Sequence, residues 1–321
     1  MVRRNQNFLS VLVLMIFFLG ASVSFAQRIP PPEEILGFKV GADFHLATYQ
    51  QAVKYFEELE KSSPMIKLFE MGKTEMGKPM IYAVITSDEN MAKLDHYKEI
   101  SKKLALVRDL TDEEACQLAA EGRAVVYIDG GLHASECAPA QHNIQLAYNL
   151  LTSDDPDYRL ILDQTILLLV FANPDGMDML AEWYHSNVGT PYEVSPMPWV
   201  YNKYVGHDNN RDSFMVNMAE TKNITRLVNQ EWFPVILYNH HQRGPFPSRI
   251  FIPPECEPTN PNVHPLIPRG KVQVGAGMGK FFDQENKPGA ISRIVYDSWY
   301  PGYVSQNGIR SQTFCGLWHA C

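Results

Sequence analysis

The sequence predicts one α/β domain built on a mostly parallel or mixed sheet. Two observations carry that reading. Short apolar runs rich in β-branched residues alternate with stretches of helical period, as where Ala124 to Ile128 gives way to a helical pattern beginning near Ala138. No repeat, low-complexity tract or linker interrupts the 321 residues, so residues 27–321 are expected to form a single domain behind a separate leader.

Taken in order, residues 27–45 are rich in proline and glycine and read as an extended lead-in. Tyr49 to Glu60 is amphipathic, with Tyr49, Ala52, Val53, Phe56 and Leu59 as its apolar positions. Ile66 to Met71 and Met80 to Ile85 read as strands joined by a turn spanning 72–77. Met91 to Val107 reads as a helix. Thr111 to Glu121 reads as a second, opened by a Thr-x-x-Glu capping box, Thr111 and Glu114. Residues 160–171 contain another buried strand ending in Asn173-Pro174-Asp175-Gly176. Residues 182–206, with three prolines and several aromatics, read as loop. Asn217 to Gln230 reads as a helix, Val235 to Tyr238 as a strand, 245–268 as a proline-rich loop and Val272 to Asp283 as a helix.

The leader is residues 1–26. Arg3 and Arg4 precede an apolar run, Val11 to Leu19, and Ser24-Phe25-Ala26 offers a small-x-small cleavage site. That run is too short for a membrane span and a cleavage site follows it, so a secretory signal peptide is expected. The mature chain should be exported, secreted or periplasmic, with no stable membrane insertion. A net charge of −8 supplies no basic footprint for nucleic acid. Five cysteines form no CxxC pair and no even framework, which argues against cysteine ligation of a metal.

The chemistry gathers at strand ends, where α/β sheets place their ligands. After the strand 124–128, Asp129-Gly130-Gly131 breaks the run, and His133 and Glu136 sit before the next helix. A histidine and a glutamate three apart on such a loop can both reach one metal ion. Catalytic zinc commonly has three protein ligands and an open position, and two histidines with one glutamate is a standard set. The third ligand should come from another strand end, and His240 and His241 follow the strand at 235–238. Side chains alternate along a strand, so one of the two should face the metal. A third stretch, 206–212, is dense in polar groups. Within it, Asn210 and Arg211 suit a peptide's terminal carboxylate, because arginine pairs with a carboxylate in two parallel hydrogen bonds.

Four motifs then occur in order: His133-Ala134-Ser135-Glu136, Asn173-Pro174-Asp175-Gly176, Asn209-Asn210-Arg211-Asp212 and Asn239-His240-His241-Gln242. In order and spacing the chain resembles the zinc metallocarboxypeptidases of carboxypeptidase A type, from about residue 45 onward. The resemblance implies a three-layer α/β/α sandwich around a mixed, mainly parallel, roughly eight-stranded sheet. It implies one zinc ion held by His133, Glu136 and His241, with His240 as the fallback. It also implies a peptide substrate whose terminal carboxylate binds Asn210 and Arg211.

Two departures from the family pattern stand out. The family's oxyanion-stabilising arginine lies about a dozen residues after the Asn-Pro-Asp-Gly motif, but residues 177–200 contain no Arg or Lys; Lys203 is the nearest cationic substitute. The family's catalytic base is a glutamate on a later strand, and the ending from Ser305 to Cys321 carries no such pattern. The domain is therefore expected to be incomplete at its C-terminal end. The sequence reading favours an exported zinc-dependent carboxypeptidase-like hydrolase. Its alternatives are a zinc amidohydrolase of the same fold and a non-catalytic zinc- or peptide-binding domain.

Overall fold

The structure is a computed structural model that describes residues 28–293, apart from 203–204, 206, 243–247, 249 and 258–262. The expected leader and Lys203 lie outside the described residues. The sheet follows from the apolar runs. Strands β1 (Ile66–Lys73), β2 (Pro79–Ile85), β3 (Ala124–Gly130), β4 (Thr165–Phe171) and β5 (Ile236–His240) form one sheet in the order β1-β2-β4-β3-β5. β2 is antiparallel to both β1 and β4, while β3 is parallel to β4 and β5. Four strands therefore run one way and β2 opposes them. The sheet is mixed and mainly parallel, as expected, with five strands among the described residues. A separate parallel pair joins β6 (Ile250–Phe251) and β7 (Ala290–Ile291).

Eight helices of eight residues or more cover the described chain: α1 (Tyr49–Ser62), α2 (Leu94–Leu106), α3 (Asp112–Glu121), α4 (Cys137–Thr152), α5 (Pro156–Gln164), α6 (Pro174–Asn187), α7 (Ala219–Arg226) and α8 (Leu266–Gln284). The predicted box at α3 forms: Glu114 N donates to Thr111 Oγ1 and Thr111 N to Glu114 Oε2. β4 shows why two layers of helix are needed. Its run TILLLVF is buried on both faces, as a covered parallel strand should be. Leu167, Leu169 and Phe171 join a core with Phe56 and Leu59 of α1 and Ile144 and Leu151 of α4. Ile166, Leu168 and Val170 face the opposite core, with Tyr97 and Ile100 of α2 and with Leu227 and Trp232. That alternation by twos makes the three-layer sandwich.

Of the predicted boundaries that moved, two flank β4. Residues 160–164 belong to α5 rather than to the strand, which begins at Thr165. The Asn-Pro-Asp-Gly motif opens α6, which extends helix into residues read as loop. Asn173 is the N-cap and accepts a hydrogen bond from Gly176 N at 2.9 Å; Pro174 occupies the first helical position, where its missing N–H costs nothing. Asp175 accepts from Thr74 Oγ1 at 2.9 Å and Met76 N at 3.0 Å, and Asp178 from Lys78 Nζ at 2.7 Å and Tyr49 N at 2.6 Å. These bonds tie the start of α6 to the β1–β2 turn and to α1. Among the described residues, no helix is long and apolar enough to cross a membrane.

Candidate metal centre

The pairing of β3 with β5 decides what meets what. Gly130 at the end of β3 lies opposite His240 at the end of β5. The loop after β3 and the residues after β5 therefore emerge side by side at the carboxyl edge of the sheet. Gly131, at φ +78°, turns the chain out of the strand in a conformation that glycine adopts at little cost. A turn closed by Glu136 N donating to His133 O at 3.0 Å follows.

Three side chains converge there. His133 Nδ1 lies 2.7 Å from Glu136 Oε1, and His241 Nδ1 lies 2.9 Å from Glu136 Oε2. The two imidazole centroids are 4.9 Å apart. One ligand atom from each of the three residues falls within 4.8 Å of the others, and all three are only partly buried. The donor set of two imidazole nitrogens and a carboxylate, converging and only partly buried, fits a catalytic zinc.

The surroundings orient these groups. Asp208 Oδ1 lies 2.9 Å from His133 Nε2 and also accepts from Asn210 N at 2.7 Å. Metal-binding histidines usually hand their second nitrogen to a carboxylate, which fixes tautomer and ring orientation. Gln242 N donates to Glu136 Oε2 at 2.9 Å, and Gln242 Oε1 accepts from Ala138 N at 3.0 Å, linking the strand end to the start of α4. Neither Asp208 nor Gln242 was singled out from sequence. The available signal was that a histidine ligand needs an acceptor at its other nitrogen.

The charged groups of the cluster act on one another. Burial acts to lower the His133 pKa, but the hydrogen bonds to Asp208 and Glu136 outweigh it and raise it to about 9. Burial acts to raise Glu136, yet the bonds from His133 and His241 bring it down to about 2. The hydrogen bond from His133 holds Asp208 below its ordinary value.

His240 points elsewhere. It stacks on Tyr238 at 5.1 Å between centroids and meets His142 edge-on at 5.2 Å. Its Nδ1 is buried without a hydrogen-bond partner among the described residues, and burial drives its pKa down to about 4. Of the pair, His241 joins the cluster. Asn210 also reaches it, with Nδ2 3.3 Å from His241 Nε2, and Arg211 follows in the same 3₁₀ turn, 209–211. Tyr201, at the end of the aromatic loop, brings its ring to 6.3 Å from His133.

A mainly parallel α/β/α sandwich with a His-Glu-His cluster at its strand ends defines the class. The zinc carboxypeptidase family profile matches residues 52–242, more than half of the chain, and the chain belongs to that family. Its fold is similar to carboxypeptidase A from Helicoverpa armigera, at 14% identity and a TM-score of 0.53, covering 87% of this chain and 67% of that one. It is also similar to a metallo-carboxypeptidase from Burkholderia cenocepacia, at 13% identity and 0.54, covering 82% of this chain and 57% of that one. Bovine thrombin-activatable fibrinolysis inhibitor, solved with a tick carboxypeptidase inhibitor, gives 12% identity and 0.53, with 84% and 83% covered. At these identities the likeness is one of fold. The chain thus spans little more than half of the Burkholderia chain and about two thirds of the insect one. No curated protein matches it in sequence.

Proposed function

We propose that this protein is a zinc-dependent, carboxypeptidase-like hydrolase that removes C-terminal residues from peptides. The observation that carries the reading is the convergence of His133 Nδ1 and His241 Nδ1 on the two oxygens of Glu136. These three residues would hold one zinc ion. Bound there, zinc would supply a Lewis acid that polarises a carbonyl and brings the pKa of water toward neutrality.

Orientation and substrate binding fall to the chain's own residues. Asp208 keeps the proton of His133 on Nε2, leaving Nδ1 as the ligand atom. Asn210, whose Nδ2 lies 3.3 Å from His241 Nε2, and its neighbour Arg211 would take the terminal carboxylate and so set which peptide bond meets the metal. Lying two and three residues after Asp208, they couple the carboxylate site to the ligand histidine through a single turn. Lys203 is carried as the cationic candidate for the oxyanion, on its place in the sequence alone. The leader pattern at 1–26 supports export.

The test is to load the protein with zinc and follow release of the C-terminal amino acid from N-blocked dipeptides. Release is expected, and it should disappear in His133→Ala. Turnover unchanged in that variant would end the metal assignment.

A further inference from the structure

We propose that Asn173 and Asn209 are positioning residues: together they hold the carbonyl of Leu132 and so fix the backbone from which His133 reaches the metal site. The inference rests on the metal-site reading above. Asn173 Nδ2 donates to Leu132 O at 3.3 Å, and Asn209 Nδ2 donates to the same oxygen at 2.5 Å. The two asparagines come from different segments, one capping α6 and the other opening the 3₁₀ turn that follows Asp208. They meet on the residue immediately before His133.

Their burial makes the arrangement informative. Asn173 is 3% exposed and Asn209 4% exposed, and a buried amide donor without an acceptor is costly. Asn209 Oδ1 is buried with no partner among the described residues, so its donor is the half of the amide that is used. Asn173 is used fully: Oδ1 caps α6 at Gly176 N, and Nδ2 also donates to Tyr201 O at 3.3 Å. Asn173 thereby holds both the His133 loop and the end of the aromatic loop whose ring faces His133.

Gly176 completes the grip. A Cβ there would lie 2.6 Å from Asn173 Nδ2 and 2.8 Å from the Cβ of Ala134, the residue after His133. The Asn-Pro-Asp-Gly turn can lie against the metal loop only because this position has no side chain. The motif accordingly acts on the metal centre through the backbone on both sides of His133, without touching the ion.

Two variants of the 321-residue chain test this. Asn173→Asp keeps an oxygen for the α6 cap but replaces the donor, and Asn209→Ala removes the second donor. Zinc affinity is read by competition with a chromogenic chelator, alongside the absorption spectrum of the Co2+-substituted protein and the melting temperature of the metal-free protein. Outer partners of metal ligands typically change affinity about 10- to 100-fold, and weakening of that size with an altered Co2+ spectrum is expected in both variants. A lowered melting temperature with wild-type zinc affinity would overturn the inference, since it marks a role in folding alone. If Asn173→Asp does not fold, Asn209→Ala decides by the same readouts. A wild-type chain that binds no zinc overturns the metal reading and this inference with it. A zinc-binding wild type with unaffected variants overturns the clamp alone.

Discussion

His241 Nδ1 lies 2.9 Å from Glu136 Oε2 across 105 residues of sequence. The contact exists because β3 and β5 are parallel neighbours whose ends, Gly130 and His240, are in register. One residue beyond that register, the chain delivers His241 to the turn that carries His133 and Glu136.

The two adjacent histidines should therefore separate cleanly. His241→Ala is expected to abolish stoichiometric zinc binding. His240→Ala should retain zinc and lose stability by about 1–3 kcal/mol, because His240 packs on Tyr238 and His142 instead. Metal analysis and urea unfolding of the two variants check this, and zinc retention in His241→Ala would reassign the third ligand.

The metal-free protein should show a pH dependence of defined sign. His133 is raised from 6.5 to about 9, so its contribution is complete below pH 6.5 and is lost as pH rises through 9. Glu136 is lowered from 4.5 to about 2, so its contribution is present above pH 4.5 and is lost as pH falls through 2. From this site, stability should be greatest between about pH 4.5 and 6.5. Zinc must displace a proton from His133, so zinc affinity should instead rise with pH up to about 9. Thermal melts with and without zinc across this range would show opposite slopes between pH 6.5 and 9.

Arg211 should read the substrate's free carboxylate. Arg211→Lys loses the two-pronged hydrogen bond and is expected to lower kcat/KM on free-acid peptides about 10- to 100-fold, the equivalent of a charged hydrogen bond worth roughly 1.5–3 kcal/mol. Peptides ending in an amide should be affected far less. Equal losses on both would remove the carboxylate role.

The tie between α6 and the rest of the fold should be structural. Asp178, 4% exposed, takes hydrogen bonds from both Lys78 and Tyr49 N. Asp178→Ala leaves Lys78, partly buried, with a weaker partner 3.7 Å away in Asp175. A loss of about 3 kcal/mol is expected from breaking such a pair, with one zinc still bound. Denaturant titration together with metal analysis separates the two effects.

Much of this was legible in the sequence, for physical reasons. β3 and β4 announce themselves as apolar β-branched runs, and His133 with Glu136 stands where a strand stops. Alternation along one strand does not choose between His240 and His241; the family resemblance favours His241, and the register of β5 against β3 is what brings it to Glu136. Asn173-Pro174-Asp175-Gly176 looked like a strand-ending turn because Pro and Gly are turn residues. In the fold, the same proline suits the first position of a helix and the glycine allows close contact with Ala134. Asp208 was hidden because its role is set by a histidine 75 residues away. Such partners become visible only once the sheet has brought the loops together.

The central claim is that His133, Glu136 and His241 form one zinc site. X-ray absorption on zinc-loaded protein tests it most directly. The account predicts one zinc per chain with two imidazole nitrogens at about 2.0–2.1 Å and carboxylate oxygen at about 2.0–2.2 Å, and loss of one imidazole in His241→Ala. A sulfur-containing shell, or an unchanged shell in that variant, would contradict it.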